Sequence, residues 1–170
     1  MFMTYHQTHD TGGIYINQDE LYMQEAIRLS ELAIEHGNEP FGAVLVKDGT
    51  IVFTNENQIY SGSDPTFHAE AGLLRKFCSA THIMDLHEYT LYSSCEPCFM
   101  CCGAMVWTKI GRLVYGASDI DLCSMLEVNG AECCSLVFEN SIWKPQVTSG
   151  VLRDESLKIL SRYFKKHTKG

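Results

Sequence analysis

The chain has 170 residues, enough for one domain around a single core, and its 45% hydrophobic and 20% charged residues describe an ordinary globular protein. No run approaches the roughly 18–20 apolar residues of a membrane span. The net charge of −8 is uneven: six basic against two acidic residues in 150–170 leave that end at +4 and the remainder at −12, a poor platform for a phosphate backbone.

Residues 1–18, rich in Thr, Gly and His, read as a flexible arm, and the single domain is expected over 19–170. The arm lacks the basic-then-apolar order of a secretory leader, so a cytoplasmic protein is expected. Asp19 is the predicted cap of a helix to about His36, with Met23, Ala26, Ile27, Ser30 and Ile34 at helical spacing and Gly37 as its stop. "FGAVLVKDGTIVFTN" reads as two strands around Asp48-Gly49, a hairpin signal. A loop, "IYSGSDPT", leads to a helix predicted over 66–80. "TLYSS" (90–94) reads as a buried strand, 97–109 as a helix with Pro97 at its start, and 112–118 as another strand. Residues 119–145 mix short helix and loop, and a last helix is expected over about 153–167 with Leu157, Leu160 and Phe164 inward. Strands alternating with helices argue an α/β domain with helices on both faces of one sheet.

Eight cysteines in a mid-sized chain without a leader are expected to be mostly reduced thiols. Their spacing singles out two. In "FHAEAGLLRK", His68 and Glu70 stand just ahead of an apolar stripe, either as a surface turn with a capping acid or as half of a metal site. The other half is "EPCFMCC": Cys98 and Cys101, at i and i+3 in the predicted first turn after Pro97, where a helix N-terminus stabilises thiolates. A thioredoxin-like redox pair needs no H-x-E some thirty residues upstream, and a four-cysteine knuckle needs a second, independent C-x-x-C. Two thiolates and one imidazole suit a Zn²⁺ with one position left for water, one ion per chain. Zinc gives Glu70 a purpose, because the activated water must lose a proton that a nearby carboxylate can carry.

His68-Ala69-Glu70 followed by P-C-x-x-C at 97–101 resembles the signature of the zinc-dependent nucleobase and nucleoside deaminases of the cytidine/deoxycytidylate deaminase superfamily. "PFGAVLV", "DPTFHAE", "SSCEPCFMC" and "GRLVYGA" are similar to that family in order and spacing, over roughly residues 20–118. The resemblance implies a three-layer α/β/α fold with a mixed five-stranded sheet. It implies zinc ligands at His68, Cys98 and Cys101, and Glu70 as proton shuttle. It also implies Asn57 and the Ala69 N–H on the edge of the base, with Phe41 packed against its ring. "PFGA" and "SCEPC" point to guanine deaminases, so guanine conversion to xanthine and ammonia is the leading expectation. Against it, Asn129 stands where an Asp is expected and Glu127 is displaced. "GVLRDESLKILSRYFKKH" resembles the C-terminal helix of tRNA adenosine deaminases, which makes that activity the alternative; cytosine and ammeline-like triazines stay open. The resemblance further implies a homodimer, in some relatives with an exchanged C-terminal segment.

Overall fold

The computed structural model describes residues 17–167. The arm expected at 1–18 lies outside the described residues except for its last two, and these begin the first helix. Helix α1 spans Gln18–Glu35, and Asn17 caps it rather than Asp19: the Asn17 Oδ1 accepts the Asp19 N–H at 3.2 Å. Asp19 lies in the first turn and works across the fold instead. Arg112 donates to both its oxygens at 2.8 and 2.7 Å, and the Tyr92 hydroxyl donates at 2.7 Å. Gly37, with φ +80°, supplies the expected stop.

The hairpin forms as predicted, from β1 (Gly42–Lys47) and β2 (Thr50–Glu56). Asp48 and Gly49 both take positive φ, 50° and 71°, the two-residue turn whose twist suits antiparallel strands. Helix α2 (Ala69–Thr81) starts three residues later than the sequence pattern suggests. Asp64 closes its own turn first, its Oδ1 accepting the Thr66 N–H at 2.8 Å and hydroxyl at 2.6 Å. Then come β3 (Thr90–Cys95), α3 (Phe99–Thr108) and β4 (Arg112–Ala117). The mixed segment resolves into α4 (Asp119–Met125) and α5 (Cys133–Glu139), followed by β5 (Gln146–Thr148) and α6 (Arg153–His167).

The sheet has the order β2-β1-β3-β4-β5, with β1 antiparallel to both neighbours and β3, β4 and β5 parallel. Alternation along β1 divides the core. Ala43 and Leu45 pack with Leu73, Leu74 and Phe77 of α2 and Met105 of α3, whereas Val44 and Val46 pack with Met23, Ala26 and Ile27 of α1. The result is the expected α/β/α layering of a mixed five-stranded sheet. At Gly42 the α1 backbone comes so close that a Cβ would lie 2.2 Å from the Ala26 carbonyl oxygen.

The C-terminal segment packs within the chain, with α6 on β4, α1 and α4 and Ser156, Ile159 and Leu160 buried. Among those residues no helix is long and apolar enough to cross a membrane. Because β2 and β3 run the same way on either side of β1, their C-terminal ends lie at one edge of the sheet. The N-termini of α2 and α3 meet there, in the position where open α/β sheets form their crevices.

Candidate functional site

Two helix starts build the site. His68 is the N-cap of α2 and Cys98 the N-cap of α3, both in extended backbone (ψ 158° and 171°), and neither side chain spends itself on a capping hydrogen bond. Cys98 is therefore not in the first turn as predicted, because Pro97 precedes the cap instead of opening the helix. The N-cap geometry still brings the two sulfurs together, since an N-cap side chain points at the third helical residue, which is Cys101.

The His68, Cys98 and Cys101 donor atoms all lie within 4.8 Å of one another. Cys98 Sγ is 3.5 Å from His68 Nδ1. One imidazole nitrogen and two sulfurs at this spacing fit a borderline-soft cation, and three protein donors is the count of a catalytic zinc site. Without metal, Cys98 carries the thiolate. Hydrogen bonds from the Cys101 thiol and from His68 draw its pKa down to about 4, against the cost of burial. Cys101 is pushed up, first as the donor to that thiolate and then by burial. The His68 imidazole is raised, first by its hydrogen bond to Cys98.

Glu70, second residue of α2, is only 4% exposed. The Ser93 hydroxyl donates to its Oε1 at 2.6 Å, and the Cys101 Sγ lies 3.4 Å from its Oε2. Burial raises its pKa, and the Ser93 hydrogen bond partly offsets the rise. A carboxylate with an elevated pKa, in contact with a ligand thiol, is suited to exchanging protons at the centre.

Asn57 is fully buried. Its N–H donates to the Phe41 carbonyl at 2.9 Å and its Oδ1 accepts the Ile59 N–H at 3.1 Å, while its Nδ2 has no hydrogen-bond partner. A buried amide donor without a partner is costly, and Nδ2 is left with both its hydrogens unused. The neighbours of Asn57 hold it beside His68. Asn55 Nδ2 donates to the Ala69 carbonyl at 2.9 Å, and the Gln58 N–H to the Phe67 carbonyl at 3.0 Å. Ala69 is buried, and as the first residue of α2 its N–H has no carbonyl partner within the helix. Phe41 is half-buried with its ring against Phe164 of α6 (centroids 6.4 Å apart), so α6 closes the same side.

Sequence reasoning missed two residues around this core. Ser93, which holds Glu70, alternates inward with Leu91 along β3, the one signal that could have found it. Glu96 accepts the Asp119 N–H at 3.1 Å and the Cys134 N–H at 3.0 Å, strapping α4 and α5 to the loop that carries Cys98. An acid buried directly before Pro97 was its only trace. Cys102 is fully buried with its Sγ 3.6 Å from that of Cys134.

Residues 16–117 match the family model described as the cytidine and deoxycytidylate deaminase zinc-binding region. The chain is 39% identical over 103 residues to the guanine deaminase of Bacillus subtilis (strain 168), a match covering 60% of this chain and 66% of that protein, just short of two-thirds of its length. It is 36% identical over 150 residues to a tRNA-specific adenosine deaminase of Buchnera aphidicola subsp. Schizaphis graminum (strain Sg), covering 88% of this chain and 95% of that one. A solved structure from a study of A-to-I editing by tRNA:A34 deaminases superposes with a TM-score of 0.70 at 32% identity, covering 82% of this chain and 98% of that one.

Proposed function

Because the chain belongs to the zinc-binding cytidine and deoxycytidylate deaminase family, hydrolytic enzymes acting on C–N bonds of nucleobases and nucleosides, we propose that it deaminates a purine-like free base, with guanine as the leading substrate and xanthine and ammonia as products. The observation that carries the hydrolytic reading is the buried Glu70, held by Ser93 against the three-donor cluster, with the unpartnered Asn57 Nδ2 beside it.

His68, Cys98 and Cys101 would hold zinc, which when bound supplies Lewis-acid activation of a water for attack on the amine-bearing ring carbon. The Glu70 carboxylate takes one proton of that water and passes it to the ring nitrogen; it then takes the proton of the hydroxyl newly bonded to the ring carbon, which becomes a carbonyl, and delivers it to the amine as the C–N bond breaks and ammonia leaves. Its raised pKa matches it to a proton that must be both taken and returned. Asn57 Nδ2 donates to an acceptor on the base edge, the Ala69 N–H donates to a second, and Phe41 flanks the ring. Guanine is supported by the local likeness around "PFGA" and "SCEPC" and by the −12 charge outside the C-terminus.

A second reading, deamination of adenosine in tRNA, is favoured by one observation. The likeness to a tRNA-specific adenosine deaminase covers 88% of the chain, and Lys158, Arg162 and Lys165 of α6 line a common basic face. Ammonia release from guanine, adenine, cytosine, ammeline, guanosine and tRNA separates the two. Turnover of guanine without inosine in tRNA is the expected result; inosine in tRNA with no free-base turnover overturns the guanine reading.

A homodimer is supported by α3, which presents Phe99, Met100 and the 85% exposed Trp107 on one face around Gly103. A reducing, cytoplasmic setting suits the eight cysteines, all of which are free thiols.

A further inference from the structure

Lys76 lies about two turns into α2, half-buried, where a long side chain reaches back over the helix towards its N-terminus. Its Nζ donates to Asn55 Oδ1 at 2.9 Å and to Gln58 Oε1 at 3.0 Å, and sits 4.7 Å from the centre of the Phe67 ring. Both acceptors are themselves joined to the run that opens α2. Asn55 Nδ2 donates to the Ala69 carbonyl at 2.9 Å, and the Gln58 N–H to the Phe67 carbonyl at 3.0 Å. Gly72 makes the room: a Cβ there would stand 2.8 Å from Asn55 Nδ2 and 2.9 Å from the Phe67 ring.

An ammonium can only donate, and this fixes which way the Asn55 amide faces. Asn55 is buried, so with its oxygen turned to Lys76 its NH₂ meets the Ala69 carbonyl. Turned over, it would set oxygen against oxygen and NH₂ against the ammonium. Asn57 stands between Asn55 and Gln58, and His68 stands between Phe67 and Ala69, to which those two residues are tied. A single cation therefore spans the segment that carries the unpartnered Asn57 Nδ2 and the segment that carries His68 and Glu70.

We propose that Lys76 is a positioning residue: its ammonium locks the Asn55 and Gln58 side chains and thereby sets the place of Asn57 Nδ2 relative to the reacting centre, acting on turnover through Asn57. The proposal rests on the reading of Asn57 as the group that holds the base edge, and deepens it by naming what fixes that amide. A compact cation on an unbranched stem suits the task, because it donates to two amide oxygens at once while its charge faces the Phe67 ring. Without it the buried Asn55 oxygen loses its donor and the amide is free to turn. Displacements of about 1 Å in a group that orients substrate cost up to roughly 10²-fold in rate.

The test uses the full-length, zinc-loaded chain with guanine, rates being normalised to bound zinc. Lys76→Met keeps the aliphatic stem and removes every donor, and its kcat/KM should fall roughly tenfold with zinc still at one per chain. The deciding comparison is a double-mutant cycle with Asn57→Ala. In that background Lys76→Met should lose less than about twofold, since the route through Asn57 is already gone, whereas a general loosening of the fold would multiply the two losses. A full loss in the Asn57→Ala background, or no loss in the single variant, overturns the assignment. Should Lys76→Met fail to fold, Gln58→Met removes one grip, leaves the buried Asn55 satisfied, and should give the same pattern at smaller size. Protection against thermal unfolding by guanine, across the same variants, reads the clamp without turnover. If the unaltered chain turns over no base while protection follows the same non-additive pattern, the deaminase reading falls and Lys76 keeps its role. Additive or absent protection in that case overturns Lys76 as well.

Discussion

Glu70, held by the Ser93 hydroxyl, is the residue on which the proposed turnover should depend. Glu70→Gln keeps the shape and loses the titratable proton, so zinc content should stay at one per chain while kcat falls about 10²–10⁴-fold. A variant that keeps its rate removes Glu70 from the reaction. Ser93→Ala strips the 2.6 Å hydrogen bond from a buried carboxylate. That should cost about 1–3 kcal/mol in chemical unfolding, with a smaller loss of kcat than Glu70→Gln, because the base is misplaced rather than lost. His68→Ala should lower zinc content measured by metal analysis; an unchanged content rejects the ligand set. His68, Glu70, Cys98 and Cys101 were legible in the sequence because each motif is local and its residue types are rare in that combination. Ser93 and Glu96 were not, since serines and acids have many uses and their partners here come from distant parts of the chain.

The elements hold together through close approaches that composition does not announce. Gly42 is the clearest: a Cβ there meets the Ala26 carbonyl oxygen at 2.2 Å and the Leu29 Cβ at 2.7 Å, so Gly42→Ala must lift α1 from β1. The expected cost is about 1–3 kcal/mol in denaturant unfolding, and a neutral effect refutes the packing argument. Helix α4 is tied to the start of α6 by Arg153, which donates from Nε to Asp121 Oδ2 at 2.9 Å and makes a second contact through its Nη2. Arg153 holds the Asp121 carboxyl down at about 2, from an ordinary value of 3.8. A depressed acid contributes its stability above the unfolded value and loses it as pH falls through the folded one. The gain from this pair should therefore be full above about pH 4 and fade towards pH 2, and Asp121→Asn should flatten that part of the stability profile. Most element positions were readable from period and turn residues. The starts of α2 and α3 were not, because Asp64 closes a local turn ahead of α2 and Pro97 stands in the extended run before the Cys98 cap, so each helix begins past its apparent boundary.

Zinc should stabilise the assembled domain, because its donors come from two helices that only the folded sheet brings together. At a hundredfold excess over Kd the gain is about 2.7 kcal/mol, which should raise the melting temperature by roughly 5–10 °C over the chelated protein. Equal melting of chelated and zinc-loaded chains denies that the ion bridges α2 and α3. The apolar face of α3 makes a second global prediction: sedimentation should find a dimer, and Trp107→Glu should shift it to monomer by burying a charge in the contact. A wild-type monomer at the same concentration removes the dimer.

The sequence by its own patterning determined the class of fold, the pair of motifs and hence the type of reaction, because hydrophobic period, turn chemistry and ligand spacing are local properties of the chain. Only the tertiary structure decided how those motifs meet. The parallel run of β2 and β3 on either side of β1 brings two helix N-termini to one edge of the sheet, and the three donors converge there within 4.8 Å. It also decided what surrounds them: the serine that holds Glu70 and the unpartnered amide of Asn57. Those are relations between residues far apart in sequence, fixed by burial and strand direction.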